Sequence, residues 1–227
     1  MRFIILPAAI LLAVQAYGQT TLELRTRKDS ISYAIGLNIG RNFKMQNIDI
    51  DMDLLAAGMK DMLAEMPRLT ESKAEEIVMS YQQELLAKQE IALAKESEKN
   101  KSEGDAFLAE NKKKPGVVTT PSGLQYKVLV EGTGPKPTAA DKVKTHYTGM
   151  FIDGTVFDSS VKRGEPVVFP VGGVIKGWTE ALQMMPLGSK WMLYIPPELA
   201  YGKEGSGGVI GPNVTLVFEV ELLSIEK

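Results

Sequence analysis

The sequence has 227 residues and a formal net charge of −2, with no cysteine and a single histidine. A chain of this length supports one or two domains with hydrophobic cores, and its nearly balanced charge gives no broad field that would attract nucleic acid or an anionic membrane. The cysteine and histidine counts exclude disulfides, lipid-modified cysteines, zinc–thiolate sites and His-rich metal centres.

Residues 1–18 carry the pattern of a secretory signal. Arg2 supplies a positive end, an apolar run follows over residues 3–14, and the Ala-Tyr-Gly of residues 16–18 is a small-x-small cleavage site. The apolar run is shorter than the roughly 20 residues that a membrane-spanning helix needs. We therefore expect cleavage after Gly18 and export, in preference to a membrane anchor.

Glycine and proline divide the remaining sequence. Of the 21 glycines and 12 prolines, five and two respectively lie before residue 115. A high density of turn-forming residues predicts short strands and loops, and their scarcity predicts helices. We therefore assign residues 19–69 to a small all-α domain, 70–114 to a long connecting helix and 115–227 to an α+β domain.

The small domain is predicted to contain two amphipathic helices. The first is capped by Asp29 or Ser30, and the second starts after Asp51 and ends before Pro67. Apolar residues recur at helical spacing on both of them. In the first helix these are Ile31, Ile35, Ile39 and Phe43, and in the second Leu55, Met59, Met62 and Met66.

Two such helices are too small to build a core without a staple or a second chain, so we predict a homodimer through this domain. Methionine is concentrated in and just after it, which favours an interchain seam with core packing over a surface for apolar clients. The residues concerned are Met45, Met52, Met59, Met62, Met66 and Met79.

The run from Thr70 to Lys114 has no proline and one glycine, and its Ser72-Lys-Ala-Glu75 has the form of a capping box. Between Lys88 and Ala106 the large apolar residues are Ile91 and Leu93, among many Lys and Glu. Alternating charges at helical spacing favour a continuous helix over a disordered linker. We expect its second half to be solvated.

Period-two alternation after residue 116 predicts antiparallel strands with one buried face. The clearest stretches are GLQYKVLV, SKWMLYI and NVTLVFEVELL, which start at residues 123, 189 and 213. Between them, Trp178 and Leu182 lie four residues apart in a segment that Pro186 ends. A short helix on a curved antiparallel sheet makes this an α+β domain.

The stretch THYTGMFIDGTVFDSS, residues 145–160, holds the single histidine. On a strand, His146 and Tyr147 point to opposite faces, and we expect no catalytic role for His146. Asp153-Gly154 predicts a turn between hairpin strands.

Five motifs occur here in order, HYTG, DGTVFDSS, VIKGWTEAL, LAYG and TLVFEVELL, and together they resemble the FKBP-type peptidyl-prolyl isomerases over nearly all of residues 117–225. Upstream, SYAIGLNIGRNFK, the long charged helix and PSGLQYKVL are similar to the two-domain macrophage infectivity potentiator (Mip)-like members of Gram-negative bacteria. The resemblance implies an antiparallel β half-barrel wrapped on a short helix, joined by a long helix to an N-terminal dimerisation domain.

The resemblance also implies the activity. Such a protein accelerates rotation about X–Pro bonds in unfolded or extracellular proteins, uses no cofactor and is inhibited by macrolides of the rapamycin type. It acts in the periplasm, or peripherally at the outer membrane or cell surface. Two other functions stay open, a non-catalytic periplasmic chaperone or protein-binding module, and a purely structural adhesive dimer that binds no macrolide.

Carried over by motif, the resemblance assigns catalytic roles to Tyr147, Asp158 and Tyr201. Residue by residue, it assigns substrate binding to apolar residues within and between these motifs, with the proline ring stacked on Trp178. These residues are Phe157, Phe169, Val174, Ile175, Trp178, Ile210 and Phe218. Val167 stands where many single-domain members have an aromatic residue, which implies a changed substrate preference with activity retained.

Overall fold

A computed structural model describes residues 23–226, so the predicted signal at residues 1–18 lies outside the described residues. The chain divides into two compact units, whose boundary in the sequence lies between Ala74 and Glu75. Within residues 23–226, no helix combines the length and the apolar character that crossing a bilayer requires.

In the first unit, residues 23–70 form helices α1 (Arg27–Met45) and α2 (Met52–Leu63), as the sequence predicts. Neither helix has a buried residue. Large apolar side chains are instead exposed along both, including Ile35 at 55% and Met62 at 69% of their accessible surface. Most residues of the apolar stripes found in the sequence therefore remain exposed within the described unit, and Ile39, Phe43 and Leu55 are partly covered.

The cap of α1 lies one turn earlier than expected. Thr26 is the N-cap, and its hydroxyl accepts a hydrogen bond of 3.1 Å from the backbone N–H of Asp29. The Asp29 carboxylate in turn accepts one of 2.8 Å from the N–H of Thr26. This reciprocal capping box places Asp29 and Ser30 inside the helix. Asp51 caps α2 as predicted, by accepting from the N–H groups of the next turn.

The long helix α3 (Glu71–Asn111) is continuous, which confirms the prediction of a helix over a disordered linker. Its first turn is capped by Thr70, whose hydroxyl accepts from the N–H of Lys73 at 3.3 Å. Ser72 lies inside the helix, so the predicted capping box at Ser72 is wrong.

The last turns of α3 pack against the second unit, to which they belong. Gly104 is buried, and a Cβ added there would collide with the side chain of Thr215. Asn111 is fully buried and donates to the side-chain oxygen of Gln125 at 3.0 Å. The expectation of a solvated second half, over residues 88–106, is therefore wrong for its final turns.

The second unit is built on a seven-stranded sheet in which every pair is antiparallel, with strand order β1-β2-β6-β7-β3-β4 and β5 paired to β3. The strands are β1 (Val117–Thr119), β2 (Gln125–Val130), β3 (Lys142–Phe151), β4 (Val156–Ser159), β5 (Val167–Pro170), β6 (Lys190–Ile195) and β7 (Leu216–Glu226). Two further helices are α4 (Ser160–Arg163) and α5 (Lys176–Met184). The α+β prediction is confirmed.

Helix α5 lies against one face of this sheet and supplies much of its core. Trp178 is 4% exposed and Leu182 is fully buried, both in a cluster with side chains of β6 and β7. Gly177 permits the close approach, since a Cβ added there would lie 2.6 Å from Cγ2 of Ile195. The strand alternation read from the sequence therefore corresponds to one packed face.

Strand β3 confirms the expected alternation and positions the site. Its buried face carries Thr145, Tyr147 and Gly149, whereas His146 lies on the opposite face. The turn after β3 is closed by hydrogen bonds between Phe151 and the following residues, and Gly154 takes a positive φ of 87° there. The predicted hairpin is thus present.

Candidate active site

An open cavity of about 450 Å³ lies beside α5 and the buried face of β3. The structure brings together here all of the predicted site residues except Ile210. The cavity is lined by Tyr147, Phe157, Asp158, Phe169, Gly173, Val174, Ile175, Trp178, Tyr201 and Phe218. A space of this size with an apolar lining and few polar groups is typical of a small-ligand or side-chain binding site.

Trp178 holds the centre of this aromatic lining. The rings of Tyr147 and Phe218 each meet the indole edge-on, with centroids 5.4 Å away, and Phe169 does so at 5.7 Å. Edge-to-face contacts of this kind are the favoured arrangement of aromatic pairs. These contacts fix the orientation of each ring relative to the indole.

The glycine of the HYTG motif, Gly149, occupies a position that has no room for a side chain. A Cβ added to Gly149 would lie 2.6 Å from Cζ of Phe157 and 2.8 Å from Cε1 of Phe218. Those two rings are themselves packed edge-on, with centroids 5.6 Å apart. A side chain at residue 149 would therefore displace one cavity wall.

The polar end of the cavity is a cluster of three side chains. The Tyr147 hydroxyl donates a short hydrogen bond to one carboxylate oxygen of Asp158, and Arg163 forms a close ion pair with the other. Arg163 also donates to the Tyr147 oxygen at 3.1 Å, with its guanidinium over that ring at 5.8 Å from the centroid. The three groups fix one another where the cavity meets solvent.

This cluster sets the charge of the site. Partial burial alone would raise the pKa of Asp158, but the hydrogen bond from Tyr147 and the Arg163 guanidinium outweigh it and hold that pKa below its usual value. Burial and the neighbouring carboxylate raise the pKa of Tyr147. At neutral pH the site therefore holds a carboxylate and a neutral phenol.

Two serines that follow Asp158 support the arrangement. The Ser160 hydroxyl accepts from the backbone N–H of Tyr147 at 2.8 Å and lies 3.1 Å from Nδ1 of His146. Ser159 caps α4 through the N–H of Lys162. His146 thus contacts a serine, but that serine is occupied with the backbone of β3, and neither group lines the cavity.

Tyr201 and Ile175 border the cavity from other elements. Tyr201 is 38% exposed, and Ile175 immediately precedes α5, whose first N–H groups lack partners within the helix. Ile210 is 8% exposed and packs in the core cluster with no share in the cavity lining. Val209 beside it is 62% exposed.

Sequence reasoning missed Arg163 and Gly173. A local signal in the sequence could have placed Arg163 on a short helix. The segment from Ser159 to Gly164 has a serine N-cap and a left-handed glycine C-cap one turn apart. That short helix returns its last residue toward Asp158. Across residues 23–226, no group of three or more imidazole or carboxylate side chains is placed to hold a metal ion.

Two family models match the chain. Residues 28–128 match a domain amino-terminal to FKBP-type peptidyl-prolyl isomerase, and residues 134–223 match the FKBP-type peptidyl-prolyl cis-trans isomerase itself. The second range contains every residue that lines the cavity.

Individual relatives cover most of the chain. The outer membrane protein MIP of Legionella longbeachae is 52% identical over 90% of this chain and 88% of its own length. The peptidyl-prolyl cis-trans isomerase Mip of Coxiella burnetii is 42% identical over 100% of both chains. The crystal structure of FkpA from Escherichia coli matches with a TM-score of 0.71 at 36% identity, covering 90% of this chain and 99% of that one.

Proposed function

The chain belongs to the FKBP-type peptidyl-prolyl cis-trans isomerases, and from that premise we propose that the cavity around Trp178 is where it rotates X–Pro bonds, in an exported homodimer that assists protein folding. The observation that carries this proposal is the group of aromatic side chains packed around Trp178, with an ionised carboxylate at the rim of the cavity. The apolar lining acts on the proline and the rim groups hold the adjoining peptide.

The lining lowers the barrier by removing water. Rotation about an X–Pro amide costs roughly 18–20 kcal/mol because amide resonance must be broken. The twisted transition state is less dipolar than the planar amide, so transfer into an apolar cavity disfavours it less. A ten-thousandfold acceleration needs about 5.5 kcal/mol of this differential stabilisation.

The rim groups orient the peptide. The proline ring stacks on Trp178, while the Ile175 N–H and the Tyr201 hydroxyl donate to substrate carbonyls. Asp158 carries its negative charge beside the twisting carbonyl, and its lowered pKa means that it has no proton to give at neutral pH. Arg163 keeps both Asp158 and Tyr147 in place. No covalent intermediate is required.

Isomerisation of a proline tetrapeptide tests these roles. We expect Asp158→Ala and Tyr147→Ala to reduce kcat/KM greatly, because each removes a group at the rim. Asp153→Ala is the matched control, since that carboxylate lies in the exposed turn after β3 and bonds only its own loop in the contacts described. Unchanged rates in both site variants would overturn the assignment of the cavity.

Dimerisation through residues 19–69 is supported by the exposure of α1 and α2. Side chains such as Ile31, Leu54 and Leu63 are 50%, 68% and 87% exposed in the single chain. Apolar surface of this extent on two short helices is typical of an interface. Sedimentation of residues 19–227 is expected to show two chains and that of 116–227 one, and two monomeric species would contradict the dimer.

Export is supported by the signal pattern in residues 1–18 and by a relative that is named as an outer membrane protein. We expect the protein in the periplasm, or peripherally at the outer membrane or cell surface. Fractionation followed by N-terminal sequencing is expected to find a mature chain that begins at Gln19. A cytoplasmic protein that keeps Met1 would contradict export.

A chaperone role is the second candidate, and exposed apolar residues on the early turns of α3 favour it. Ile77, Val78 and Leu86 are 47%, 54% and 65% exposed. If suppression of client aggregation survives Asp158→Ala while isomerisation is lost, holding of clients is the main role. Loss of both together would favour catalysis. Binding of a rapamycin-type macrolide is expected in either case and excludes a purely adhesive dimer.

A further inference from the structure

The loop of residues 202–213, which follows Tyr201, is attached at its far end to helix α3. The side-chain amide of Asn100 donates to the carbonyl oxygen of Pro212 at 2.9 Å. The side-chain amide of Asn213 donates to the hydroxyl of Ser97 at 2.7 Å. Both contacts join residues more than 100 positions apart in the sequence, and both are partly buried.

The attached end of the loop is in turn bonded to the start of the loop. The backbone N–H of Asn213 donates to the carbonyl of Gly202 at 2.7 Å, and the N–H of Gly202 donates to Pro197 at 2.8 Å. Gly202 directly follows Tyr201, whose ring borders the cavity. A short series of hydrogen bonds therefore connects α3 with the backbone of Gly202, the residue next to Tyr201.

The loop has little internal restraint of its own. Four of its glycines, Gly202, Gly205, Gly207 and Gly208, take positive φ angles, and between them the internal backbone hydrogen bonds are those of one tight turn, in which Ser206 pairs with Val209 and Ile210. Glycine loses more conformational freedom on ordering than any other residue, so a loop of this composition needs outside contacts to hold one shape. Ile210 supplies one by packing in the core, and α3 supplies the others. The loop approaches α3 closely at Gly211, where an added Cβ would lie 2.7 Å from Oε1 of Glu96 on that helix.

We propose that Ser97 and Asn100 are positioning residues for the isomerase site. By holding Pro212 and Asn213, they fix the loop so that Tyr201 stays at the cavity wall. This inference rests on the proposed function, because it assumes that the Tyr201 hydroxyl binds substrate. The long helix would therefore have a positioning role in catalysis even when the substrate is a peptide too short to contact the helix.

The expected kinetic signature is a change in KM more than in kcat. A hydroxyl that binds a substrate carbonyl away from the twisting bond contributes equally to the ground state and the transition state, so its misplacement weakens binding. Losing one neutral hydrogen bond of the anchor is expected to raise KM about three- to tenfold. A general loss of folding would lower the active fraction and leave KM unchanged.

The experiment compares Ser97→Ala and Asn100→Ala with Ser102→Ala in the full-length chain. Ser102 is exposed on the same helix and makes no contact with the loop in the contacts described, so it controls for removing a hydroxyl from α3. Two quantities are measured, KM and kcat for a proline tetrapeptide, and hydrogen exchange of the loop amides. Amides of the β3–β7 pair serve as the internal standard for global stability.

We expect faster exchange at Ile210 and Asn213 and a higher KM in Ser97→Ala and Asn100→Ala, with both quantities unchanged in Ser102→Ala. A matched pair at residue 213 adds a rescue. Its φ of 52° suits Asn, Asp and Gly, so Asn213→Gly removes the bond without strain. Asn213→Asp keeps a bond, because the Ser97 hydroxyl can donate to the carboxylate, and it is expected to keep KM near that of the parent.

The outcomes separate the two claims. Loop exchange that rises with no change in KM would overturn the positioning role, and so would variants that change neither quantity. Equal KM values for Asn213→Gly and Asn213→Asp would overturn it as well. The cavity assignment fails independently of these results, when Asp158→Ala and Tyr147→Ala leave the parent activity intact.

Discussion

Leu182 and Leu63 lie on helices of the two different units, and the structure buries the first completely while leaving the second 87% exposed. The contrast extends to the whole units, because the sheet unit has a continuous core whereas α1 and α2 have no buried residue. A helix gains most of its stability from packing its apolar face. The sheet unit therefore carries its own stability, and the helical unit is expected to gain its stability from a second chain.

The largest effect is expected from truncating the buried leucine. Leu182→Ala removes fully buried volume from the core and should lower the free energy of unfolding of the sheet unit by about 2–5 kcal/mol. Both tryptophans lie in this unit, so urea unfolding followed by tryptophan fluorescence measures it directly. Leu63→Ala should leave that transition within about 0.5 kcal/mol. If Leu182→Ala and Leu63→Ala lowered this free energy of unfolding equally, the proposed difference in how the two units gain stability would be wrong.

A charged side chain in the exposed apolar stripe of α2 should weaken the proposed dimer. Met59 is 47% exposed in the single chain, and Met59→Glu would bury a carboxylate in the proposed interface. An unpaired carboxylate among the apolar side chains of that interface is expected to weaken dimerisation by about 30-fold or more. Lys60→Glu is the control, since it places the same side chain on the adjacent exposed residue. Sedimentation equilibrium measures both, and an undisturbed dimer in Met59→Glu would locate the interface elsewhere.

Substituting alanine for one glycine in each unit tests the difference between the two units further. Gly149→Ala places a methyl group against the rings of Phe157 and Phe218, and overpacking of this kind should cost about 1–3 kcal/mol and reduce kcat/KM. Gly36 has no atom within 4 Å of an added Cβ. Gly36→Ala should therefore stabilise α1 by about 0.5–1 kcal/mol. If Gly36→Ala instead weakens the dimer, the partner chain packs directly on that face.

Much of the fold could be predicted because its elements are periodic. Strands β2, β6 and β7 show regular alternation and α5 shows helical spacing of apolar residues, and the sequence predicts these elements correctly. Strands β1, β4 and β5 have three or four residues, which is too short for a period to be read. Their existence depends on pairing with β2 and β3, which is a tertiary property.

The docking of α3 is missed because most of its contact face is not apolar. Within its unit the helix packs on the sheet and the loops through Ser97, Asn100, Gly104 and Asn111, which are small or polar, and Phe107 alone among its rings contacts a strand residue, Tyr194, in the contacts described. A hydrophobic pattern cannot reveal such a face. The signals that were present are the single glycine of the helix and the helical spacing of these residues.

The motifs predict which residues belong to the candidate site, but they do not predict the contacts between those residues. The resemblance named Tyr147 and Asp158, but no spacing rule indicated that Arg163 would join them. The resemblance also assigns Ile210 to substrate binding, yet the structure places its side chain in the core. The neighbours of a residue on a loop or short helix depend on how that segment returns, which sequence alone leaves open.

The smallest effect is expected from Arg163, and it should appear in pH dependence. The pair with Asp158 is 45% and 38% exposed, so it contributes little to stability. Because the pKa of Asp158 is lowered, the stabilisation from its charge is complete above the unfolded pKa of about 3.9 and is lost as the pH falls through the lower folded pKa.

Arg163→Ala removes one of the groups that lower this pKa, so the acid limb of kcat/KM should move to higher pH while the neutral rate changes only slightly. Exchange between the cis and trans forms of an uncharged proline peptide, measured by NMR, needs no coupling protease and covers the acid range. Lys162→Ala, on the adjacent exposed residue, should keep the parent profile. An acid limb in the same position in all three proteins would mean that Arg163 orients Tyr147 without controlling the charge of Asp158.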